Sequence, residues 1–502
     1  MQYFYATKSM RINMDTTREN TYLKLGTAAT VRKLQDDIII ACAEACNVDR
    51  QLIEHVHDAT PEQEHRMNHH IKDGSYLEQM VLQFDHKASV EQQNFFIKVI
   101  DTIRVKNHIL RTRLVKHESA VYQVVLKDGN RWTTKVDLEV YLRKNINTRM
   151  GYGSELCRYA LLGNEHGQTF FIWTVHHSCI DSWTLRSIFD DLQQACSDLR
   201  SFSRMAVRMQ FSEYVAWIQS SDLAGAFHFW HSRYAFFETV GYKFPNFGPP
   251  EFFTMSDARA SRTLHVQGMR PNTSLLVIGH AAWALTVYEE CGTSDVNFIS
   301  MSPARKIDLP GIENVMGPVS VPVPIRVIFD NNMTIGGLRE IIEHQLLTMV
   351  GVEHYAIRAL RGKGFDWKSV TQGVFQWHPM GSDIFNRTIA CHDKGASPAT
   401  LRYRSDLSVP ANHDHGFMLD IWEEDGYISI HASWNSRMLE WGKVEHVIER
   451  FTTIFTLIMK GHGETVDEIM GRCMEAEDET IAFVTSPSTL RGSSTEFEGF
   501  SD

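Results

Sequence analysis

Hydrophobic positions along the chain change period repeatedly, from strand-like runs to helix-like stripes and back. In "QMVLQF" (79–84), Met80, Leu82 and Phe84 alternate on one face, as in a strand. From Ser89 the period lengthens. Ser89 and Gln92 can form a capping box, and Phe96, Val99, Ile100 and Ile103 follow at helical spacing, which predicts a helix packing one stripe. "RTRLVKHESAVYQVVL" (111–126) returns to strands. "QTFFIWTV" (168–175) is a continuous apolar run rich in aromatic and β-branched residues, which predicts a central strand covered on both faces. After Asp181, residues Leu185, Ile188, Phe189, Leu192, Cys196 and Leu199 take helical spacing.

A second round of the pattern follows. It has a strand at "TLHV" (263–266), a helix at 274–290, a strand at "DVNFISM" (295–301) and a closing helix at "KVEHVIERFTTIFTLIM" (443–459). Between them, "GFMLDIWEEDGYISIHASW" (416–434) reads as a strand pair turning at "EEDG". The longest apolar run, "LLVIGHAAWALTVY" (275–288), is interrupted by His280 and too short to span a bilayer, so it reads as a buried helix. The two ends differ from this dense middle. Residues 1–28 are polar and unpatterned, and 475–502 are acidic and Ser/Thr-rich, with too little apolar surface to offset the entropy of ordering.

Composition narrows the classes. At 502 residues with 43% hydrophobic and 22% charged residues, the chain can bury a substantial core and is long enough for two domains. Its 50 Lys+Arg against 61 Asp+Glu give a net charge of -11, which argues against nucleic acid or an anionic membrane as main partner. The basic stretch "RVKNHILRTRLVKH" (104–117) reads as a solvated helix edge running into a strand. Eight cysteines form no tight framework and the first residues lack a secretory pattern, so a reduced cytoplasmic compartment is expected. Neither the Cys42/Cys46 pair nor the His65/His69 pair has further nearby ligands, which argues against zinc at either.

The candidate chemistry sits in "TVHHSCIDSWTL" (174–185), where the apolar run hands over to the helix. Such a junction puts side chains at the rim of a rigid sheet. A neutral imidazole there could take a proton from an attacking amine or alcohol, or stabilise an oxyanion, if locked in one orientation. Asp181, four residues on from His177, is better placed to pair with an arginine and brace the loop than to hold the ring. Spacing alone leaves open that these are the polar end of an ordinary strand.

"HHSCIDSW" resembles the HHxxxDG motif of the condensation domains of nonribosomal peptide synthetases. The resemblance runs from about Ala43 to Lys460. "DATPEQ" (58–63) is similar to the family's PCTPLQ, "NHILRTRLV" (107–115) to HxxLRTxF, and "MGYGSELCRYALL" (150–162) to G-x-P-L-x-R-x-x-L. "FISMSPARKIDLPGIENVMGPVSVPVPIRV" (298–327) follows SGR...PGIE...GP...VPVRV, and the "PGIE...GP" wording resembles fungal members most. The resemblance implies an α+β (α/β sandwich) fold: two chloramphenicol acetyltransferase-like lobes in a V-shaped pseudo-dimer with a central active-site tunnel. The expected division is a disordered segment at 1–28, a lobe at 29–200, a connection at 201–260, a second lobe at 261–474 and a disordered tail at 475–502.

Residue by residue, the resemblance makes His177 catalytic and Asp181 the structural aspartate, with Arg305 as its partner from the second lobe. His176 would form a wall of the tunnel. Ser182 stands where relatives have glycine and would narrow the tunnel, and Val321-Pro322-Val323-Pro324 replaces an NTLP segment. "GVFQWHPMG" (373–381) falls short of an RNPL-type motif. Terminal fungal members carry SHxxxDxxS, which His176, His177, Asp181 and Thr184 match half-way, leaving the acceptor open.

No GxxxxGK[ST] loop occurs, since "RGKG" (361–364) lacks the spacing, and no adenylation segment or complete carrier domain is legible. The implied activity is therefore that of a stand-alone, monomeric acyltransferase with no tightly bound cofactor and no metal. Its donor would be an acyl thioester on a partner carrier protein's phosphopantetheine arm, and its acceptor a small-molecule amine or alcohol or another carrier-bound amine, with an amide or ester bond formed or the chain cyclised or offloaded. Two other classes are open: an acyl-coenzyme A-dependent HxxxD acyltransferase, which "DHGFML" (414–419) does not match, and a non-catalytic partner-recruitment module.

Overall fold

The structure, a computed structural model, describes residues 28–127, 132–234, 256–266, 274–330, 332–360, 373–379, 381–391, 398–413, 415–461 and 465–476. The expected disordered ends lie outside the described residues apart from helix ends at Ala28 and Ala476, as does "RGKG".

The strands are β1 (Ile53–Asp58), β2 (Leu77–Phe84), β3 (Thr112–His117), β4 (Ala120–Leu126), β5 (Trp132–Thr133), β6 (Cys157–Gly163), β7 (Thr169–His176) and β8 (Ala258–His265). They continue as β9 (Asp295–Ser302), β10 (Val321–Ile328), β11 (Gly373–His378), β12 (Thr388–Cys391), β13 (Ala399–Tyr403), β14 (Phe417–Glu424) and β15 (Tyr427–Trp434). The helices are α1 (Ala28–Cys46), α2 (Pro61–Asp73), α3 (Val90–Lys106), α4 (Leu138–Asn147), α5 (Ser182–Ser197), α6 (Leu199–Arg204) and α7 (Phe211–Ser220). After them come α8 (Leu223–Arg233), α9 (Leu275–Cys291), α10 (Ile335–Thr348), α11 (Ala356–Leu360), α12 (Trp441–Lys460) and α13 (Val466–Ala476).

Two six-stranded sheets carry the architecture, in the orders β12-β13-β2-β7-β6-β5 and β10-β9-β11-β14-β15-β8, and β1-β4-β3 forms a small third sheet. The fold is α+β. β7 lies inside the first sheet with every residue buried, as a continuous apolar run requires. β2 departs from the one-sided alternation of its sequence. Met80 and Leu82 face the main first-lobe core while Val81 packs with Leu138, Phe170 and Ile172 on the other face, under α4. In α3 the Ser89–Gln92 capping box forms, and the predicted stripe of Phe96, Val99, Ile100 and Ile103 is buried. α9 is apolar all round because it is enclosed: every residue from Val277 to Val287 is buried. Pro322 and Pro324 sit on β10, an edge strand paired only with β9, where missing N–H groups leave no gap in the ladder. Among the described residues no helix is long and apolar enough to cross a membrane.

The chain does not change lobe once, at a loose connection. α6 and α7 place Phe202, Phe211, Tyr214 and Val215 in the first core, whereas Ala226 and Trp230 of α8 lie in the second. The crossing therefore falls between α7 and α8, inside the span expected to be a connection. Nor is 261–474 one lobe. Residues Ala304 to Val319 contribute side chains to the first core, and β12 and β13 complete the first sheet, with Leu401, Arg402 and Tyr403 opposite Phe84, Gln83 and Leu82 of β2. The basic stretch at 104–117 also needs correcting as a solvated edge: Arg104 and Arg111 are buried, paired with Asp101 and Glu54. Buried guanidinium groups need such partners.

Candidate active site

The loop between β7 and α5 is held from two sides. From below, the first turn of α2 reaches up to it. Pro61 begins that helix, Thr60 caps it, and Gln63 closes a capping box through Thr60 N (3.0 Å) while its Nε2 donates to Ser178 O at 3.0 Å. Arg66, one turn on, donates through Nη1 to His177 O at 2.7 Å and through Nη2 to Ser320 O at 3.4 Å. The "DATPEQ" segment thus acts as a clamp on the histidine loop. The backbone N–H of His177 donates to Tyr76 O at 2.8 Å, and Tyr76 is one of few non-glycine residues at positive φ (65°). Strain of this kind persists where surrounding bonds impose it.

From the other side, Asp181 anchors the start of α5 to the second half of the chain. Its Oδ1 accepts from Thr184 N (2.8 Å) and Thr184 Oγ1 (2.7 Å), the N-cap arrangement that ends the loop. Arg305 Nη2 donates to Oδ2 at 2.8 Å, and Val319 N, Ser320 N and Ser320 Oγ complete the shell. Burial alone would raise the Asp181 carboxyl; Arg305 and the Thr184 bonds outweigh it and hold the group below the usual aspartate range. Arg305 also serves Ile312 O and Val315 O, with its guanidinium 5.5 Å from the Trp183 ring. Gly317 N donates to Thr184 Oγ1 at 2.9 Å, so the threonine ties the cap to the same segment.

The two histidines have opposite surroundings. His176 was expected at the tunnel wall, but its side chain is fully buried, edge-on to His70 with ring centroids 4.7 Å apart, so it lies behind the wall. Its Nδ1 accepts from Ser178 N at 3.0 Å. Burial, with His70, His177 and Arg66 nearby, holds its pKa well below the usual histidine range and the ring neutral. His177 keeps 16% side-chain exposure, and its Nε2–H donates to Glu78 Oε2 at 3.0 Å. The His413 ring stands edge-on at 5.3 Å. Ser182 lines a narrow interlobe cavity of about 30 Å³ with Trp183, Met301, Ser320, Trp377 and Trp422.

Glu78, the partner of the His177 ring, is a candidate site residue that no motif pointed to. The signal was present: Glu78 shares parity with Met80, Leu82 and Phe84, so the strand pattern puts a carboxylate on the apolar face. Arg66 and Gln63 were likewise hidden, because their role lies in contacts more than a hundred residues away in sequence. Among the described residues one group of metal-ligand type comes together, Glu54, His55 and His108. Arg111 Nη1 stands 2.7 Å from Glu54 Oε2, so a guanidinium already supplies the positive charge there. The His65 and His69 rings lie 4.4 Å apart on α2, tilted 43° to each other.

The family model for the condensation domain matches residues 54–479. The chain belongs to the condensation-domain family. Condensation domains form amide bonds in nonribosomal peptide synthesis and act on carrier-bound substrates. Similar curated proteins are fungal. The nonribosomal peptide synthetase sidD of Aspergillus fumigatus is 27% identical over 87% of this chain and 20% of its own length. Cyclochlorotine synthetase of Talaromyces islandicus is 27% identical over 84% of this chain and 8% of its own length. The chain therefore spans a fifth or less of these two relatives. Among solved structures, holo T3CT aligns with TM-score 0.65 at 17% identity over 89% of this chain and 99% of that one. The starter condensation domain of rhizomide synthetase RzmA, solved as a point mutant in complex with C8-CoA, aligns with TM-score 0.65 at 14% identity, over 82% and 96%. These likenesses show the fold: two acetyltransferase-like lobes of one condensation domain.

Proposed function

We propose that this condensation domain catalyses attack of an amine or alcohol on a carrier-bound acyl thioester, with His177 as the group that handles the proton and Asp181 as the brace. One observation carries this reading. The junction divides its polar groups, turning Asp181 fully into a buried shell with Arg305 while leaving His177 partly open beside the lobe interface. A ring whose main chain is pinned at both N–H and C=O, and whose side chain remains reachable, is positioned for proton transfer. His176 and Thr184 support it, the first as neutral packing behind the loop and the second as part of the cap. Ser182 faces the cavity a substrate would traverse.

The donor would arrive on a phosphopantetheine arm of a carrier protein, through the space between the lobes. Attack at a thioester carbonyl calls for positioning and charge stabilisation, which the clamped loop supports without a resident cofactor. The test is a carrier-discharge assay. Acyl-loaded carriers are mixed with this protein and a pool of amines and alcohols, and the carrier's intact mass is followed beside a His177→Ala control. Loss of acyl mass only with the intact histidine supports the proposal, and the product names the nucleophile. Discharge from acyl-coenzyme A without any carrier would replace the donor assignment, a relevant arm because the RzmA relative was solved with C8-CoA. Carrier binding without discharge, unaffected by His177→Ala, would overturn catalysis in favour of recruitment.

A further inference from the structure

Glu78 is buried, with 7% of its surface exposed, and its carboxylate points at the ring nitrogen of the histidine assigned to proton transfer. Among the described residues no arginine or lysine lies within ion-pair distance of it; its partner is His177. Other charged or titratable groups surround the pair from every side, but each is spent elsewhere or held at longer range. Arg66 of α2 pairs with Glu62 and the His177 carbonyl. Arg259 of β8 feels the Glu78 charge, yet its Nη2 donates to Pro410 O, Ala411 O and Asn412 Oδ1. Tyr403 of β13 feels the same charge. His413 stands over His177, and neutral His176 lies behind it. A buried carboxylate is costly unless a cation or a full set of donors meets it. On the acyl-transfer reading the nucleophile comes to the imidazole, and so to the carboxylate beside it.

We infer that Glu78 and His177 together form a binding site for a primary amine nucleophile arriving as its ammonium. This rests on the acyl-transfer reading above and adds Glu78 to it as the group that takes the first proton from the acceptor. The proton balance favours two acceptor groups. The ammonium RNH3+ first gives up one proton, and the amine RNH2 then attacks the thioester R'CO–SR''; the sum yields the amide R'CO–NHR, the thiol R''SH and one proton. The C–N bond forms, the C–S bond breaks and its electron pair leaves on sulfur. Two protons must leave nitrogen. The ammonium replaces the resting Nε2–H bond, donating to the carboxylate and to the ring in its other tautomer. Glu78 passes one proton to solvent, and His177 carries the other to the leaving thiolate. An alcohol has one proton to lose and no charge to pair, and the histidine alone would suffice for it.

The test compares n-butylamine, cationic at neutral pH, with hydroxylamine, already neutral there, as acceptors for an acyl-carrier donor that the discharge assay identifies. Glu78→Gln is expected to lower kcat/KM for n-butylamine by about a hundredfold, within the range a positioned proton acceptor contributes, and by less than about threefold for hydroxylamine. Raising the pH should recover the n-butylamine rate in the variant, and Glu78→Asp should restore part of it. Equal loss with both amines, or no loss, overturns the inference while leaving the acyl-transfer reading intact. Full activity in His177→Ala would instead overturn the acyl-transfer reading. A second readout needs no turnover. Adding n-butylammonium should shift the His177 imidazole NMR signals in the wild type and not in Glu78→Gln, with n-butanol inert in both. Absence of any shift in the wild type counts against the site.

Discussion

The sharpest consequence of the site's division is that removing Asp181 and removing His177 should damage different properties. Asp181→Ala leaves Arg305, with 3% of its side chain exposed, facing the carbonyls of Ile312, Val315 and Gly317 but no anion. Breaking a buried pair by deleting one partner costs about 3–5 kcal/mol, of which roughly 1 kcal/mol reflects the lost N-cap of α5. The three carbonyls partly satisfy the guanidinium, so the lower end, about 3 kcal/mol, is expected. His177→Ala takes the ring away from the buried Glu78 carboxylate; because the His177 side chain is partly exposed, water can enter the space it leaves, and a cost at the lower end of about 1–3 kcal/mol is expected. Urea unfolding midpoints of wild type and both variants read the difference, with carrier discharge measured alongside. Acid gives an internal check. The folded Asp181 carboxyl titrates below its ordinary value of 3.8, so its contribution is complete above that pH and fades as pH falls through the lower folded value. The gap between wild type and Asp181→Ala should therefore close in strong acid. Equal destabilisation by the two substitutions, or a gap that widens in acid, would refute the reasoning.

Other substitutions probe the surrounding frame. Gly317→Ala places a methyl 2.2 Å from Phe211 Cδ2 at a φ of 149°, beside Thr184, and should cost more than about 2 kcal/mol in urea unfolding. Gly279→Ala drives a methyl to 2.3 Å from the Trp377 ring and should loosen α9 from β11, read as a lower midpoint. Thr184→Val keeps the shape but strips the hydroxyl between Asp181 and Gly317, and about 1–3 kcal/mol of stability should be lost. His280, buried, and His354, half-buried, are neutral, with loss of solvent pushing each pKa down to about 4. Unfolded histidine binds its proton near 6.5, so stability is full above that and declines as pH falls toward 4, by about 2 kcal/mol each between neutrality and pH 5. Unfolding midpoints that match at the two pH values would contradict this.

Local pattern predicted the elements well where one period held over a whole segment. The stripe of α3, the all-buried β7 and the Phe417–Ile421 alternation of β14 each follow from side-chain periodicity within one element. It could not show that β12 and β13 leave the second half to complete the first sheet, because a strand's own sequence does not name its partner. The same limit hid part of the site. Asp181 and its partner Arg305 were named through the resemblance, but Val319 and Ser320, which complete the shell from more than a hundred residues away, were not. Arg104 and Arg111 read as solvated because charge normally is; they lie inside, Arg104 paired with Asp101 one turn back on α3 and Arg111 with Glu54 of β1.

The folding of distant segments onto the histidine loop bears on how its position is held. His177 is fixed by Tyr76 from β2's approach and by Arg66 from α2, while Asp181, a few residues on, is fixed by a segment of the second half. Arg66 touches both sides, through His177 O and Ser320 O. A relative shift of the two halves would therefore pull on the loop at both ends and alter the His177–Glu78 geometry, without any change in the residues that do the chemistry. Arg66→Met removes that bridge but keeps much of the side-chain volume. If the bridge transmits lobe position to the ring, the variant should lose kcat with little change in KM for the acceptor, and its His177 imidazole signals should move. A variant that loses only stability would show instead that Arg66 is packing, and that the histidine is held by β2 alone.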